Sequence, residues 1–324
     1  MSAATPPPPR AQAAACVAAV APSHNSGDYL LRCVRSLLAS TTPVASVCVV
    51  DSASTDDAVD RLLREATRPI DAIRLKRDKG ISYALNVGIR RSLQRKEITH
   101  LLLLDDDVWL EPDVLGALLE TSAALPQAAI ISPTQCLYES DEIDEGHRRA
   151  LTTRQRTIHL PGPGGTVREV VSVMDVVGAT MLLPRKAIER IGLFDENFFL
   201  YGNDTELCYR ARHHGYEVIV APDVKVHHRH AGQCAMEPWS RRAIFSQRAM
   251  MIRSVKIRNR SLAYGISDCL RSLWNDMRDA INRRSARALR AQLRNALWLC
   301  RKLPSIINSR FRDYPLHRTK ERTA

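Results

Sequence analysis

HLLLLDDDVWLEP, residues 100–112, sets four leucines directly before three carboxylates, Asp105, Asp106 and Asp107. A solvated loop can carry such a charge run freely. A run fixed at the carboxyl end of a buried strand is different, because the strand holds the acids in a cleft. The surrounding pattern favours the second reading. Residues 17–20, 47–51, 72–75, 100–105 and 128–132 are short apolar runs rich in leucine or β-branched residues, with helical patterns between them over 29–38, 58–65, 81–93 and 114–119. Strand and helix alternating at this spacing predict right-handed crossovers and an α/β fold with a mostly parallel sheet flanked by helices. Near-continuous apolar strands suit a sheet covered on both faces. Ligands of such sheets bind outside the carboxyl ends of the strands. Asp51, the aspartate triplet and residues 23–27 all fall at that edge.

Residues 133–170 break the rhythm. CLYESDEIDEGHRR is charged and LPGPGG is turn-rich, which reads as an irregular insertion over the sheet, with a β-excursion as one form of it. A strand is then expected over 175–183, a short helix over 185–190, and a helix over 205–214 capped by Asn203 or Asp204 and stopped at Gly215. A strand over 217–221 leads into the turn HHRH at 227–230. Beyond residue 241 the pattern is helical, with apolar faces over 262–274 and 286–299. This segment, 241–324, carries 21 Lys/Arg against 5 Asp/Glu, whereas residues 1–240 carry 26 against 30. The basic character therefore belongs to the extension, and an anionic surface is its expected partner.

No apolar run approaches the roughly 18 residues of a membrane-spanning helix. Residues 1–14, with four consecutive prolines and one basic residue, read as a disordered tail and not as an export signal. The first strand begins at residue 15. Eight cysteines form no CxxC pair and lie mostly in apolar segments, which suits free thiols in a reducing, cytoplasmic compartment.

The dinucleotide fingerprint is absent: after the first strand the chain reads PSHNSGDYL, with one glycine. No GxxxxGK[ST] loop occurs either. Phosphates must be held by something else, and the aspartate triplet supplies it. A divalent cation, Mn2+ or Mg2+, between two carboxylates and phosphate oxygens neutralises charge as a diphosphate departs. On an extended backbone Asp105 and Asp107 share a face. Asp51 ends a strand, where an acid takes ribose or base hydrogen bonds; the plainer alternative makes Ser54 or Thr55 a cap for the next helix. Asp204 opens a helix and suits a general base or a cap. Of the histidines at 227, 228 and 230, one could be a third metal ligand, or all could sit in a solvated turn.

These pieces, in this order, resemble family 2 glycosyltransferases with a GT-A fold. VVDSASTD, DKGISYALNVGI, LLLLDDDVWLEPD, the long segment VVGATMLLPRKAIERIGLFDENFFLYGNDTELCYRARHHGY, then VHHRHAG and IRN at 257–259 follow the family's order of motifs over roughly residues 15–260. The resemblance implies a catalytic domain over 15–240 followed by the basic helical extension. It implies that Asp51 binds base or ribose, that Asp105 contacts ribose or metal, that Asp107 is the main metal ligand with Asp106 beside it, and that Gly80 and Asn86 shape the donor pocket. It makes Asp204 the catalytic base and His228 the likelier metal-linked histidine, with His227 its near competitor. The nearest members in pattern are rhamnosyl- and galactofuranosyltransferases. The implied reaction is inverting transfer from dTDP-rhamnose or a UDP-sugar to a glycan or lipid-linked acceptor in cell-surface polysaccharide synthesis. Asn203, Asp78 and Ser52 depart from the family pattern and leave donor identity open. A nucleotidyltransferase is the alternative, but it needs a basic glycine-rich loop that PSHNSGDYL lacks. A nucleic-acid partner is not expected, because the basic extension has few aromatic side chains for base readout.

Overall fold

The computed structural model describes residues 15–138, 140–161, 166–229, 240–256 and 261–310. The expected tail over 1–14, most of the LPGPGG turn, His230 and the IRN motif lie outside them. The first half alternates as the periodicity predicts: β1 (Val17–Ser23), α1 (Asp28–Leu38), β2 (Ser46–Asp51), α2 (Ala58–Glu65), β3 (Ile70–Arg74), α3 (Ile81–Leu93) and β4 (His100–Leu104). These strands lie in the order β3-β2-β1-β4, all parallel. The second half adds β5 (Val108–Leu110), α4 (Val114–Ala124), β6 (Ala128–Leu137), α5 (Glu145–Leu151), β7 (Arg156–Pro161), β8 (Val167–Ser172), β9 (Thr180–Pro184), α6 (Arg185–Ile191), α7 (Asn203–His213) and β10 (Glu217–His228). The sheet continues β4-β9-β6-β10-β8-β7, with β5 on the far end of β10. Among the described strands only β5, β8 and β9 oppose the common direction, so the sheet is mostly parallel in direction.

Side chains alternate along each strand and feed two cores. Val17 and Ala19 of β1 pack on the α1, α2 and α4 side, Ala18 and Val20 on the α3, α6 and α7 side. Contact on the second side is close: a Cβ on Gly88 of α3 would stand 2.3 Å from Val20 Cγ1.

The structure corrects three expectations and fills in a fourth. Residues 175–179 are not strand, because pairing with β4 begins only at Leu104↔Thr180 and the chain before it leaves the sheet toward α7. The β-excursion of the insertion is present as the antiparallel pair β7–β8, and a short helix that the sequence did not suggest, α5, precedes it. Helix α7 begins at Asn203 after Gly202, which stands at φ 74°, and no side chain caps it. Strand β10 runs to His228, so His227 and His228 are strand residues and not turn residues.

Helices α8 (Arg241–Lys256), α9 (Leu262–Asn282) and α10 (Ala286–Ser309) build a third core around Met251, Ile252, Val255, Cys269, Leu273, Leu299 and Ile306. Phe198, from the segment before α7, is part of that core. The join is also ionic. Lys256 is buried, with Nζ 2.6 Å from Asp195 Oδ2 and 3.0 Å from Glu206 Oε1, and Ser309 Oγ donates to Asp195 Oδ2 at 3.1 Å. Removing one partner of a buried ion cluster strands the other charge. Lys256→Met is therefore expected to destabilise by about 3–5 kcal/mol in urea unfolding; a loss below about 1 kcal/mol, the range of exposed pairs, would show that the cluster is not a fastening.

Candidate active site

Strand β4 ends at Leu104, and the backbone N–H of Asp105 donates to Ala179 O at 2.9 Å. The chain then turns, with Val108 N donating to Asp105 O at 3.3 Å, and enters β5. This turn, rather than an extended backbone, sorts the three acids. Asp106 swings toward the loop after β1, where His24 N donates to its Oδ2 at 3.2 Å and Ser26 Oγ also hydrogen-bonds to it. Asp105 and Asp107 turn the other way, toward β10.

The antiparallel pairing of β5 with β10 sets Val108 opposite His228 and Trp109 opposite His227. His228 Nε2 consequently lies 3.1 Å from Asp107 Oδ1 and 3.9 Å from Asp105 Oδ2. His227 points to the opposite face. Its ring packs on Trp109 with centroids 4.8 Å apart, and its Nδ1 lies 3.1 Å from Ser140 O. Geometry thus separates the two histidines that the sequence left competing, and it brings His228 to the acids.

The ligand atoms of Asp105, Asp107 and His228 all lie within 4.8 Å of one another. Two carboxylates and an imidazole form an oxygen-rich set suited to Mn2+ or Mg2+. The electrostatics agree with a cation here. Burial pushes Asp105 up to about 7, assisted by Asp107, Asp106 and Asp204 and opposed by His228. Burial likewise pushes Asp106 up to about 6, against the hydrogen bonds it accepts. Burial alone would lower His228, but its hydrogen bond to Asp107 and the charges of Asp107 and Asp105 raise it overall. The trio therefore carries more negative charge than its surroundings stabilise, which a divalent cation relieves.

Asp51 ends β2 and is buried; its Oδ1 accepts from Ser54 N at 2.9 Å. Neither Ser54 nor Thr55 caps α2, whose N-cap position is Asp57. Gly80 precedes α3 at φ 88°, and a Cβ there would stand 2.4 Å from Phe199 O. Asn86 is buried and brackets Phe194: its Nδ2 donates to Phe194 O and its Oδ1 accepts from Phe194 N, both at 2.9 Å. Gly80 and Asn86 thus fasten α3 to the chain that leads into α7.

Asp204, in the first turn of α7, faces the loop before β9. Its Oδ2 accepts from Gly178 N at 2.9 Å and its Oδ1 from Thr205 N at 2.7 Å. Burial raises its pKa; the two N–H groups lower it, Asp175 raises it and Arg253 of α8 lowers it. A carboxylate made more basic in this way is suited to accepting a proton. A Cβ on Gly178 would stand 2.8 Å from Asp204 Cβ, so only glycine admits this approach. Gly178, Asp175 and Arg253 had no assigned role in the sequence reading. Gly178 lay inside a quoted motif, but no local signal links it to a residue 26 positions later.

Beside Asp107 opens a cleft of about 1110 Å3, lined in part by His24, Tyr29, Arg32, Asp106, Trp109 and Arg229. Arg32 Cζ lies 5.1 Å from the Trp109 ring centroid and 4.6 Å from that of Tyr138, and Arg229 Cζ lies 4.0 Å from that of Tyr29. Stacking holds these guanidinium groups in place next to the acids. The site as a whole offers a cation seat, cationic groups beside it, and a basic carboxylate within electrostatic reach of Asp105.

A family model described as "Glycosyltransferase like family 2" matches residues 13–251. The chain is 27% identical over 179 residues to the low-salt glycan biosynthesis hexosyltransferase Agl10 of Haloferax volcanii, covering 55% of this chain and 57% of that protein. It is 25% identical over 187 residues to the dTDP-rhamnosyl transferase RfbF of Shigella flexneri, covering 56% and 59%. It thus spans under two thirds of the length of these curated relatives. Among solved structures, S. aureus TarS 1–349 superposes with a TM-score of 0.55 at 16% identity, over 87% of this chain and 79% of that one. The mannosyltransferase PcManGT of Pyrobaculum calidifontis, in complex with GDP-Man and Mn2+, gives 0.55 at 17% identity, over 88% and 75%. At such identities the likeness is one of fold, and the fold is GT-A.

Two outcomes follow from the geometry. Protons and a cation compete for Asp105 and His228. Between about pH 4 and 7 the metal-free native cluster holds more protons than the unfolded chain, so its contribution to stability falls as pH rises through that window. The thermal-midpoint shift given by saturating Mn2+ is accordingly expected to be larger at about pH 8 than at about pH 5.5; equal shifts would count against these ligands. Separately, Gly178→Ala is expected to displace Asp204 and to cost about 1–3 kcal/mol by overpacking, read from thermal unfolding together with a crystal structure of the variant.

Proposed function

The chain belongs to glycosyltransferase family 2, and from that membership we propose that it moves a sugar from a nucleoside-diphosphate donor to an acceptor hydroxyl with inversion at the anomeric carbon. The observation that carries this reading is the convergence of Asp105, Asp107 and His228 with Asp204 close enough to perturb Asp105. Such a site can stabilise a diphosphate leaving group on one side and take up a proton on the other.

Asp51 receives the base or ribose of the donor at the end of β2. Asp106 holds the loop over residues 23–27 in place beside the nucleotide. Asp105, Asp107 and His228 hold Mn2+ or Mg2+, which when bound neutralises charge on the departing diphosphate. Arg229 lines the cleft beside Asp107 and offers the phosphates a fixed cationic partner. Gly80 and Asn86 shape the donor pocket through the backbone they hold. Asp204 accepts the proton of the acceptor hydroxyl as that oxygen bonds to the anomeric carbon and the carbon–diphosphate bond breaks. One displacement needs one base, so the paired carboxylates of a retaining hydrolase are not required.

The proposed donor is dTDP-rhamnose or a UDP-sugar such as UDP-galactofuranose. The motif pattern supports this, as does similarity to a protein named as a dTDP-rhamnosyl transferase. The proposed acceptor is a glycan or lipid-linked saccharide in cell-surface polysaccharide synthesis. The place of action is the cytoplasm, with residues 241–324 resting peripherally on an anionic membrane face. Among the described residues no helix is long and apolar enough to cross a membrane.

A transfer assay across nucleotide sugars with added Mn2+ or Mg2+ tests this reading. Asp204→Asn is expected to lower turnover by about 10²–10⁴-fold, the usual share of a general base, while donor-dependent thermal stabilisation persists. Asp107→Ala should abolish the cation-dependent part of donor binding. If Asp204→Asn keeps most of its turnover, the base lies elsewhere.

A further inference from the structure

Helix α9 presents two faces. Cys269 and Leu273 are buried in the third core with α8 and α10, and Ala280 is buried as well. One position on from each, Leu270, Trp274 and Ile281 are 57%, 65% and 60% exposed. Together with the half-buried Met277 they recur at intervals of four, three and four, which places them in one stripe along the helix. No other described side chain covers that stripe. On α10, Leu293 and Leu297 are exposed at 48% and 59%, one turn apart.

The charged side chains three or four positions from the stripe on α9 are basic, whereas Asp268, Asp276 and Asp279 fall on other sides of the helix. Arg271 and Arg278 stand three before and four after Trp274, on the same side of α9. Arg290, Arg294 and Arg301 stand in the same relation to the α10 leucines. A helix face with large apolar side chains, an exposed tryptophan and flanking arginines has the composition of an interfacial helix. Its apolar groups enter the boundary between head groups and acyl chains. Its arginines extend back to the phosphates.

We propose that the stripe Leu270–Trp274–Met277–Ile281 of α9 is the surface by which this chain lies on an anionic phospholipid bilayer. The inference rests on the peripheral placement proposed above and names the face that makes it. Charge alone would leave the extension hovering at any anionic polymer. The apolar stripe selects a bilayer, because only a bilayer offers both phosphates and hydrocarbon at one surface. The buried Lys256–Asp195–Glu206 cluster and the shared Phe198 core fix α8, and with it the helices packed on it, to the chain that carries Asp204. Docking of the stripe therefore sets the orientation of the catalytic edge relative to the lipid.

The test uses the full-length chain and two vesicle types, phosphatidylcholine alone and phosphatidylcholine with phosphatidylglycerol, in co-sedimentation at low and moderate salt. The variant replaces three exposed side chains together, Leu270→Glu, Trp274→Glu and Ile281→Glu; none touches the catalytic site, and an unchanged thermal midpoint confirms that the fold persists. The proposal expects the unaltered chain to bind the anionic vesicles and the variant to lose about tenfold or more of that affinity, with transfer to a water-soluble acceptor unchanged. If both chains bind anionic vesicles equally, the face is wrong while peripheral placement stands. If the unaltered chain fails to bind anionic vesicles at low salt, both readings fall. If light scattering shows an oligomer that the variant dissociates, the stripe joins copies of this chain and the bilayer proposal is overturned.

Discussion

Like charges forced to share a small volume are the constraint on which the rest of this structure depends. Three consecutive aspartates follow a buried strand, and no lysine or arginine is inserted among them. The chain resolves the conflict by turning sharply, so that Asp106 faces hydrogen-bond donors on the β1–α1 loop while Asp105 and Asp107 face His228. The resolution is partial. Asp105 still stands far above the ordinary carboxylate range, because one imidazole does not offset burial together with neighbouring acids. Such residual strain is informative, since neutral packing would have been easier to build if stability alone were selected.

Much of the second half of the chain serves to bring a counter-charge to that turn. Strand β10 runs 12 residues, through a register irregularity between Ala221 and Lys225, before it reaches His228. The three residues of β5 clip onto its far end and fix which histidine faces the acids. The other side of the site is held by contact. Asn86 and Gly80 secure the backbone at Phe194 and Phe199, and Gly178 lets Asp204 approach closely enough to accept its N–H. Each of these positions is intolerant for a different reason: a bidentate bracket, a left-handed backbone, and a missing Cβ.

The first half of the fold was legible because its physics is local. A leucine run, a turn and an amphipathic helix each declare themselves within about a dozen residues, and β1 to β4 follow from repeating that unit. Asp51, Asp105 and Asp107 could be placed at the sheet edge for the same reason. What could not be read depended on partners distant in sequence. The start of β9 is set by where β4 ends. The length of β10 is set by β6 and β5, so a sequence pattern that seemed finished at Ala221 continued to His228. The choice between His227 and His228 needed a register, since adjacent strand residues differ only in face. Asp175, in the loop before β9, and Arg253, on α8, are more than 70 residues apart and both reach Asp204, and nothing local marks them as neighbours.

The extension shows how composition and packing diverge. Net charge changes sign near residue 241, which suggests an appendage, yet the inner face of α8 belongs to the catalytic edge. Arg253 acts on the field at Asp204, and three residues later Lys256 lies buried between Asp195 and Glu206. Residues three apart on a helix share a face, so a single side of α8 both fastens the extension and bears on the proposed base. Movement of that helix would therefore change the basicity of Asp204 as well as the shape of the wall behind it. Within the three helices the basic surplus belongs to α8 and α10, since α9 sets Arg271 and Arg278 against Asp268, Asp276 and Asp279; on exposed faces such charge costs little to hold. A charged exterior and a buried ionic fastening lie within one segment because they answer to different surroundings, solvent on one side and a carboxylate-rich site on the other.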